Sequence, residues 1–142
     1  MEKINHYSFD LWLTLIKSNP YFKKARAEYF YKNYNFLKKS IDEIESIFRE
    51  VDVTCNRINE ITGKNIDSDE MYLLSLYKMN GKIELISEIT LREIYRDIED
   101  IIFNYLPEIY DKNTLDILKK IKHENKGITM NILSNTAFIK GE

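Results

Sequence analysis

Asp10 ends a short segment in which Tyr7 and Phe9 alternate with His6 and Ser8, and Thr14 follows it four residues on. A carboxylate at the carboxyl end of a strand lies where α/β sheets place their ligands. Held by amides of the following loop, it points out of the sheet and can attack an electrophilic phosphorus or carbon. A covalent intermediate then divides one difficult step into two. Thr14 would pin that loop or assist at the site. The second candidate group is Ser134, which with Asn135 and Thr136 follows the compact apolar segment ITMNIL, 128–133. The Ser134 hydroxyl, Asn135 and the amides after the serine would hydrogen-bond a substrate anion at a strand end. The two histidines offer less. His6 sits in the first strand and His123 in the last turn of a helix, where partial positive charge suits the dipole; neither has a spaced metal-binding partner.

These groups need strands to carry them. INHYSFD, 4–10, is predicted as one strand, and 128–133 as another of similar length. Between residue 10 and the Asn19-Pro20 pair the chain is too short for another element, and that pair reads as an N-cap with proline in the first helical turn. From Tyr21 the apolar period is near 3.6, with Phe22, Ala25, Tyr29, Phe30 and Tyr34 forming the broad aromatic face of a first helix. Ser40 to Glu43 has capping-box spacing. Behind it Ile41, Ile44, Phe48, Val51, Cys55, Ile58 and Ile61 form a second stripe, stopped by Gly63. Asp67 to Glu70 opens a third helix through Met71, Leu74 and Tyr77, closed by Asn80-Gly81. A fourth runs from about Glu84 to Leu106, before Pro107. Its Ile86, Ile89, Ile94, Ile98, Ile101 and Tyr105 are expected inward, with Glu88–Arg92 and Arg96–Asp100 as outward i,i+4 pairs. A last amphipathic helix puts Leu115, Leu118 and Ile121 inside and stops at Gly127.

Composition excludes several classes. Of 142 residues, 44% are apolar and 31% charged, with a formal charge of −2, so neither disorder nor a field aimed at nucleic acid or an anionic membrane is expected. A single cysteine, Cys55, allows no internal disulfide and no multi-cysteine zinc site; its place on an apolar seam makes it core filler. No apolar run approaches the ~18 residues needed to span a bilayer, and the polar start lacks a signal-peptide core. A soluble, cytoplasmic protein is the expectation.

The order strand–acid, helical insertion, helix–glycine–strand–serine resembles the haloacid dehalogenase superfamily of hydrolases. Phe9-Asp10-Leu11-Trp12-Leu13-Thr14-Leu15 is similar to the superfamily's first motif, and Leu133-Ser134-Asn135-Thr136 to its second. The run from Leu106 to Thr136, with its Pro107 and Tyr110 lead, matches the usual approach to the second motif. The resemblance implies an α/β fold: an incomplete Rossmann-like parallel sheet core from 1–18 and 107–142, with a four-helix cap over 19–106. By residue count the chain would be mostly helical. Asp10 would be the nucleophile, Thr14 and Ser134 catalytic helpers, and Ser134 with Asn135 the phosphate binders. Asp10 and the backbone carbonyl of Trp12 would ligate magnesium. In the cap, Tyr21, Lys24, Arg26 and Tyr29 are the nearest candidates for specificity.

The chain departs from the family pattern at three points. Phosphatases of the family place a second aspartate two residues after the first, to protonate the leaving oxygen and later activate water. Trp12 stands there instead, as an aromatic does in family dehalogenases, whose halide leaves without a proton. Leu13 replaces the usual glycine, which predicts a loop without positive φ at that point. The third-motif lysine and the fourth-motif acids have no counterpart, Lys140 following the second motif too closely. The magnesium site is therefore expected to be incomplete and the chain weak or inactive. The unpaired edge of the first strand predicts a homodimer, a strand swap or a missing carboxyl-terminal half; a monodisperse monomer in light scattering would count against this. Three functions compete: a hydrolase of phosphorylated small molecules, a 2-haloacid dehalogenase, and a non-catalytic helical interaction module.

Overall fold

The computed structural model describes residues 5–81 and 87–134, leaving aside the side chain of Ile89. Asn135, Thr136, Lys140, Glu84 and Ile86 lie outside the described residues. Most of the chain is helical; the described residues form five helices and two two-stranded sheets, one parallel and one antiparallel, an arrangement compatible with an α/β protein. Among the described residues no helix is long and apolar enough to cross a membrane. The chain divides into two compact units, one of residues 5–19 and 106–134, the other of 20–81 and 87–105.

In the first unit, β1 (His6–Asp10) lies parallel to β4 (Thr129–Leu133), with Tyr7 opposite Met130 and Asp10 opposite Leu133. The two-residue strands β2 (Ile16–Lys17) and β3 (Glu108–Ile109) pair antiparallel, joined by an exposed Lys17–Glu108 ion pair of 3.4 Å. The segment after residue 10 was expected to hold no element. It forms β2 because the partner strand lies some ninety residues away, where local pattern cannot show it. Helix α5 (Thr114–Glu124) half-buries Leu118 and Ile121, but Leu115 is exposed, against expectation.

The second unit holds α1 (Pro20–Asn33), α2 (Ile41–Thr62), α3 (Ser68–Asn80) and α4 (Glu88–Asn104). Its core is Ala27, Phe30, Ile44, Phe48, Val51, Cys55, Met71, Tyr72, Leu76, Met79, Ile94 and Ile98. Helix ends follow local chemistry. The Ser40 hydroxyl accepts from the Glu43 amide at 3.2 Å, and the Glu43 carboxylate accepts from the Ser40 amide at 2.7 Å. Gly63 and Gly81 stop α2 and α3 at φ near +66° and +71°, where a side chain would be strained. Helix α4 begins later than expected, at the Ser87 cap, whose hydroxyl accepts from the Thr90 amide.

Helix faces are narrower than the apolar pattern suggested. The α2 stripe is buried from Ile44 to Cys55, whereas Ile58 and Ile61 stand exposed beyond the reach of the neighbouring helices. On α3, Tyr77 is half-exposed and Tyr72, Ser75, Leu76 and Met79 turn inward with Met71. Tyr105 caps the carboxyl end of α4, its amide donating to the Ile101 and Ile102 carbonyls, and its side chain is exposed. The expected Glu88–Arg92 and Arg96–Asp100 pairs are not formed; Arg96 instead reaches Asp97 at 3.5 Å.

The Glu43 carboxyl lies below its ordinary range because the Ser40 amide and hydroxyl favour the charged form. A depressed folded-state value gives stability that is present above the unfolded value and lost as pH falls through the folded one. Glu43→Gln should therefore lower the thermal midpoint at neutral pH, and the gap to the parent should close as pH falls below the ordinary carboxylate range. A gap unchanged across that range in paired melts would contradict the assignment.

Candidate functional site

The site is built at the carboxyl ends of β1 and β4. The Leu11 amide donates to the Leu133 carbonyl at 3.0 Å, which carries the parallel ladder one residue past Asp10. Asp10 and Leu133 are register partners, so Ser134 leaves the sheet one residue beyond the position level with the carboxylate. Both Asp10 and Ser134 are exposed. Alternation along β1 sets Asp10 on the same face as His6 and Ser8, with Tyr7 and Phe9 half-buried on the other.

The loop after Asp10 is tightly wound. The Leu11 carbonyl accepts from both the Leu15 and Ile16 amides at 3.0 Å, and the Leu13 amide donates to the Ile16 carbonyl at 2.8 Å. Leu15 is buried beneath it, and the Tyr110 amide donates to the Leu15 carbonyl at 2.9 Å, tying the loop to the segment after β3. With the amides of Leu13, Leu15 and Ile16 spent on backbone carbonyls, the contact to the carboxylate comes from a side chain. Thr14 Oγ1 donates to Asp10 Oδ2 at 3.3 Å. Thr14 thus fixes the carboxylate's orientation.

Leu13 overturns one expectation. Its φ is +59°, so the turn keeps a left-handed residue although glycine is replaced. The wound loop imposes this conformation, and an L side chain there costs about 1–2 kcal/mol. Leu13 is 72% exposed, so it has little packing to offset the strain. Leu13→Gly should raise the stability of this unit by up to about 1 kcal/mol, less the extra unfolded-state entropy of glycine. Urea unfolding followed through Trp12, the one tryptophan, reads this locally; a clear loss of stability would contradict it.

Trp12 is half-buried and bridges to Ile16. It offers no group that titrates near neutrality, so the second-acid position supplies no proton. Magnesium favours six oxygens in octahedral geometry, several of them from water. The resemblance offers the Asp10 carboxylate and the Trp12 carbonyl, and among the described residues no three His, Cys, Asp or Glu side chains cluster. This donor set does not fit a dedicated magnesium site, and no step below runs through one.

Two features went unseen in the sequence. His6 Nδ1 lies 2.5 Å from Thr129 Oγ1 and its Nε2 3.2 Å from Ser8 Oγ, so the ring bridges the two strands on the Asp10 face. The strict alternation of residues 6–10 was the available signal. Arg26, named as a candidate for specificity, is buried, its guanidinium 4.3 Å from the Phe48 ring centroid and 5.5 Å from that of Phe22. Phe22, Arg26 and Phe30 share the i,i+4 spacing that marks one helix face. Burial lowers the Arg26 pKa, opposed by Tyr72, Asp52 and Glu45, while burial pushes Tyr72 up to about 12. Tyr29 donates to Asp97 Oδ2 at 3.0 Å, and burial drives its pKa upward. Arg26 and Tyr29 therefore hold the helices together, whereas Tyr21 and Lys24 remain exposed.

No protein-family model matches the chain, and no curated protein or solved structure is significantly similar to it.

Proposed function

We propose that this chain carries the nucleophile end of a haloacid-dehalogenase-like hydrolase acting on phosphorylated small molecules. The observation that supports the reading is the parallel register that sets Asp10 level with Leu133 and brings Ser134 out at the neighbouring strand end. In this reading an Asp10 oxygen attacks phosphorus, the bond to the leaving oxygen breaks, and an aspartyl phosphate forms. The Ser134 hydroxyl, with Asn135 following, hydrogen-bonds the phosphoryl oxygens; Thr14 orients the carboxylate. Water then cleaves the acyl phosphate and frees phosphate.

Trp12 narrows the substrate class. Without an acid at that position, the leaving oxygen departs unprotonated, which favours anhydrides and aryl esters over alkyl esters. The same residue favours a second reading, displacement of halide from a 2-haloacid, in which no proton is needed. The compact helical unit favours a third, an interaction module without catalysis.

Three assays separate them. Phosphate release from p-nitrophenyl phosphate, measured with and without magnesium and abolished by Asp10→Asn, is the expected result. Chloride release from a 2-chloroacid without metal would move the assignment to the dehalogenase. Silence in both, with the helical circular-dichroism signal intact, would overturn hydrolysis and leave the interaction module.

A further inference from the structure

Among the described residues β1 has one neighbour, β4. Parallel sheets are ordinarily covered and extended, and an isolated two-stranded sheet is marginal in water. An open edge of this kind recruits another strand. The ladder fixes which groups are open. The Thr129 amide donates to the Asn5 carbonyl and the Leu11 amide to the Leu133 carbonyl, both at 3.0 Å. In a parallel ladder alternate residues bond to the same neighbour, so residues 5, 7, 9 and 11 face β4. The amides and carbonyls of His6, Ser8 and Asp10 face the open edge.

We propose that this edge joins two copies of the chain, β1 to β1, antiparallel and centred on Ser8. A two-fold axis there sets Ser8 opposite Ser8 of the second copy, His6 opposite Asp10, and Tyr7 opposite Phe9. All three residues with outward backbone groups then fall in hydrogen-bonded pairs. The alternative centres, on Tyr7 or Phe9, set Asp10 or His6 opposite a residue outside β1. The side chains agree with this register. His6 and Asp10 share the polar face, and the imidazole can exchange its 3.2 Å contact with Ser8 Oγ for a charge-assisted bond to the opposing carboxylate. Tyr7 and Phe9 share the other face and meet in the closer, non-hydrogen-bonded pairs, where aromatic side chains contribute most. The dimer would engage the carboxylate that the hydrolase reading makes the nucleophile, but sedimentation and cross-linking at residue 8 report on the strand edge alone, so the two can fail separately.

Sedimentation of the full chain across a concentration series tests it. The expected species is twice the 17.0 kDa chain, falling to a monomer on dilution. Ser8→Pro removes an amide that points away from β4 and should weaken the dimer about ten- to hundredfold, since two hydrogen bonds are lost at the axis. Ser8→Cys keeps the side chain's size and does not depend on proline being tolerated. Under mild oxidation it should cross-link into a dimer, because the axis brings that position against itself, whereas Phe9→Cys should not. Cys55 is buried and does not compete. A single 17.0 kDa species at every concentration would overturn the proposal. So would an open-ended polymer, which needs β1 on β4, or a dimer in which Ser8→Cys fails to cross-link.

Discussion

Asp10→Asn is expected to bring whatever phosphate release the chain shows on p-nitrophenyl phosphate down to background, as removal of a nucleophile does. The amide keeps the carboxylate's size and can still meet the Thr14 hydroxyl, 3.3 Å away. Asp10 is exposed, so the substitution disturbs no core packing. Loss of rate with an unchanged thermal midpoint therefore isolates the chemistry. Ser134→Ala, which deletes one donor to the developing anion, should cost less, about a hundredfold. Equal rates for parent and Asp10→Asn would remove the covalent step from consideration.

Phe30→Ala carries the largest expected loss of stability, about 3–5 kcal/mol. Phe30 is wholly buried, stacked on Tyr72 at 5.9 Å between centroids and set against Phe48 at 4.8 Å and Tyr34 at 5.6 Å. Truncation forfeits the burial and leaves a cavity that Phe48 and Tyr72, fixed by α2 and α3, cannot close. For a helical unit of this size the midpoint by circular dichroism should fall by at least about 12 °C. A fall under about 4 °C would show that the aromatic cluster repacks and is not the unit's structural centre.

Elements with local chemistry were legible. Ser40 and Glu43 announced α2, the glycines at 63 and 81 closed two helices, and alternation along 6–10 marked β1. Long-range or contextual features were not. Strands β2 and β3 are two residues each and exist only as partners. At Leu13 residue type does not set φ; the hydrogen bonds of Leu11 and Ile16 around it do so. Arg26 is a packing residue and not one of specificity, because its stem and planar head suit a slot between phenylalanine rings that only the folded helices form. At the site, the strand ends and the spacing of Thr14 from Asp10 could be read directly. The spending of the loop amides on backbone carbonyls, which leaves Thr14 to orient the carboxylate, required the folded loop.

The most direct test is a cross-strand nuclear Overhauser measurement on the labelled full chain. Because the Leu11 amide donates to the Leu133 carbonyl, the Leu11 amide proton should show a strong effect to the α-proton of Ser134, with the Leu11 amide slow to exchange. Assigned resonances lacking that contact, with a rapidly exchanging Leu11 amide, would separate Asp10 from Ser134 and remove the basis for a shared site.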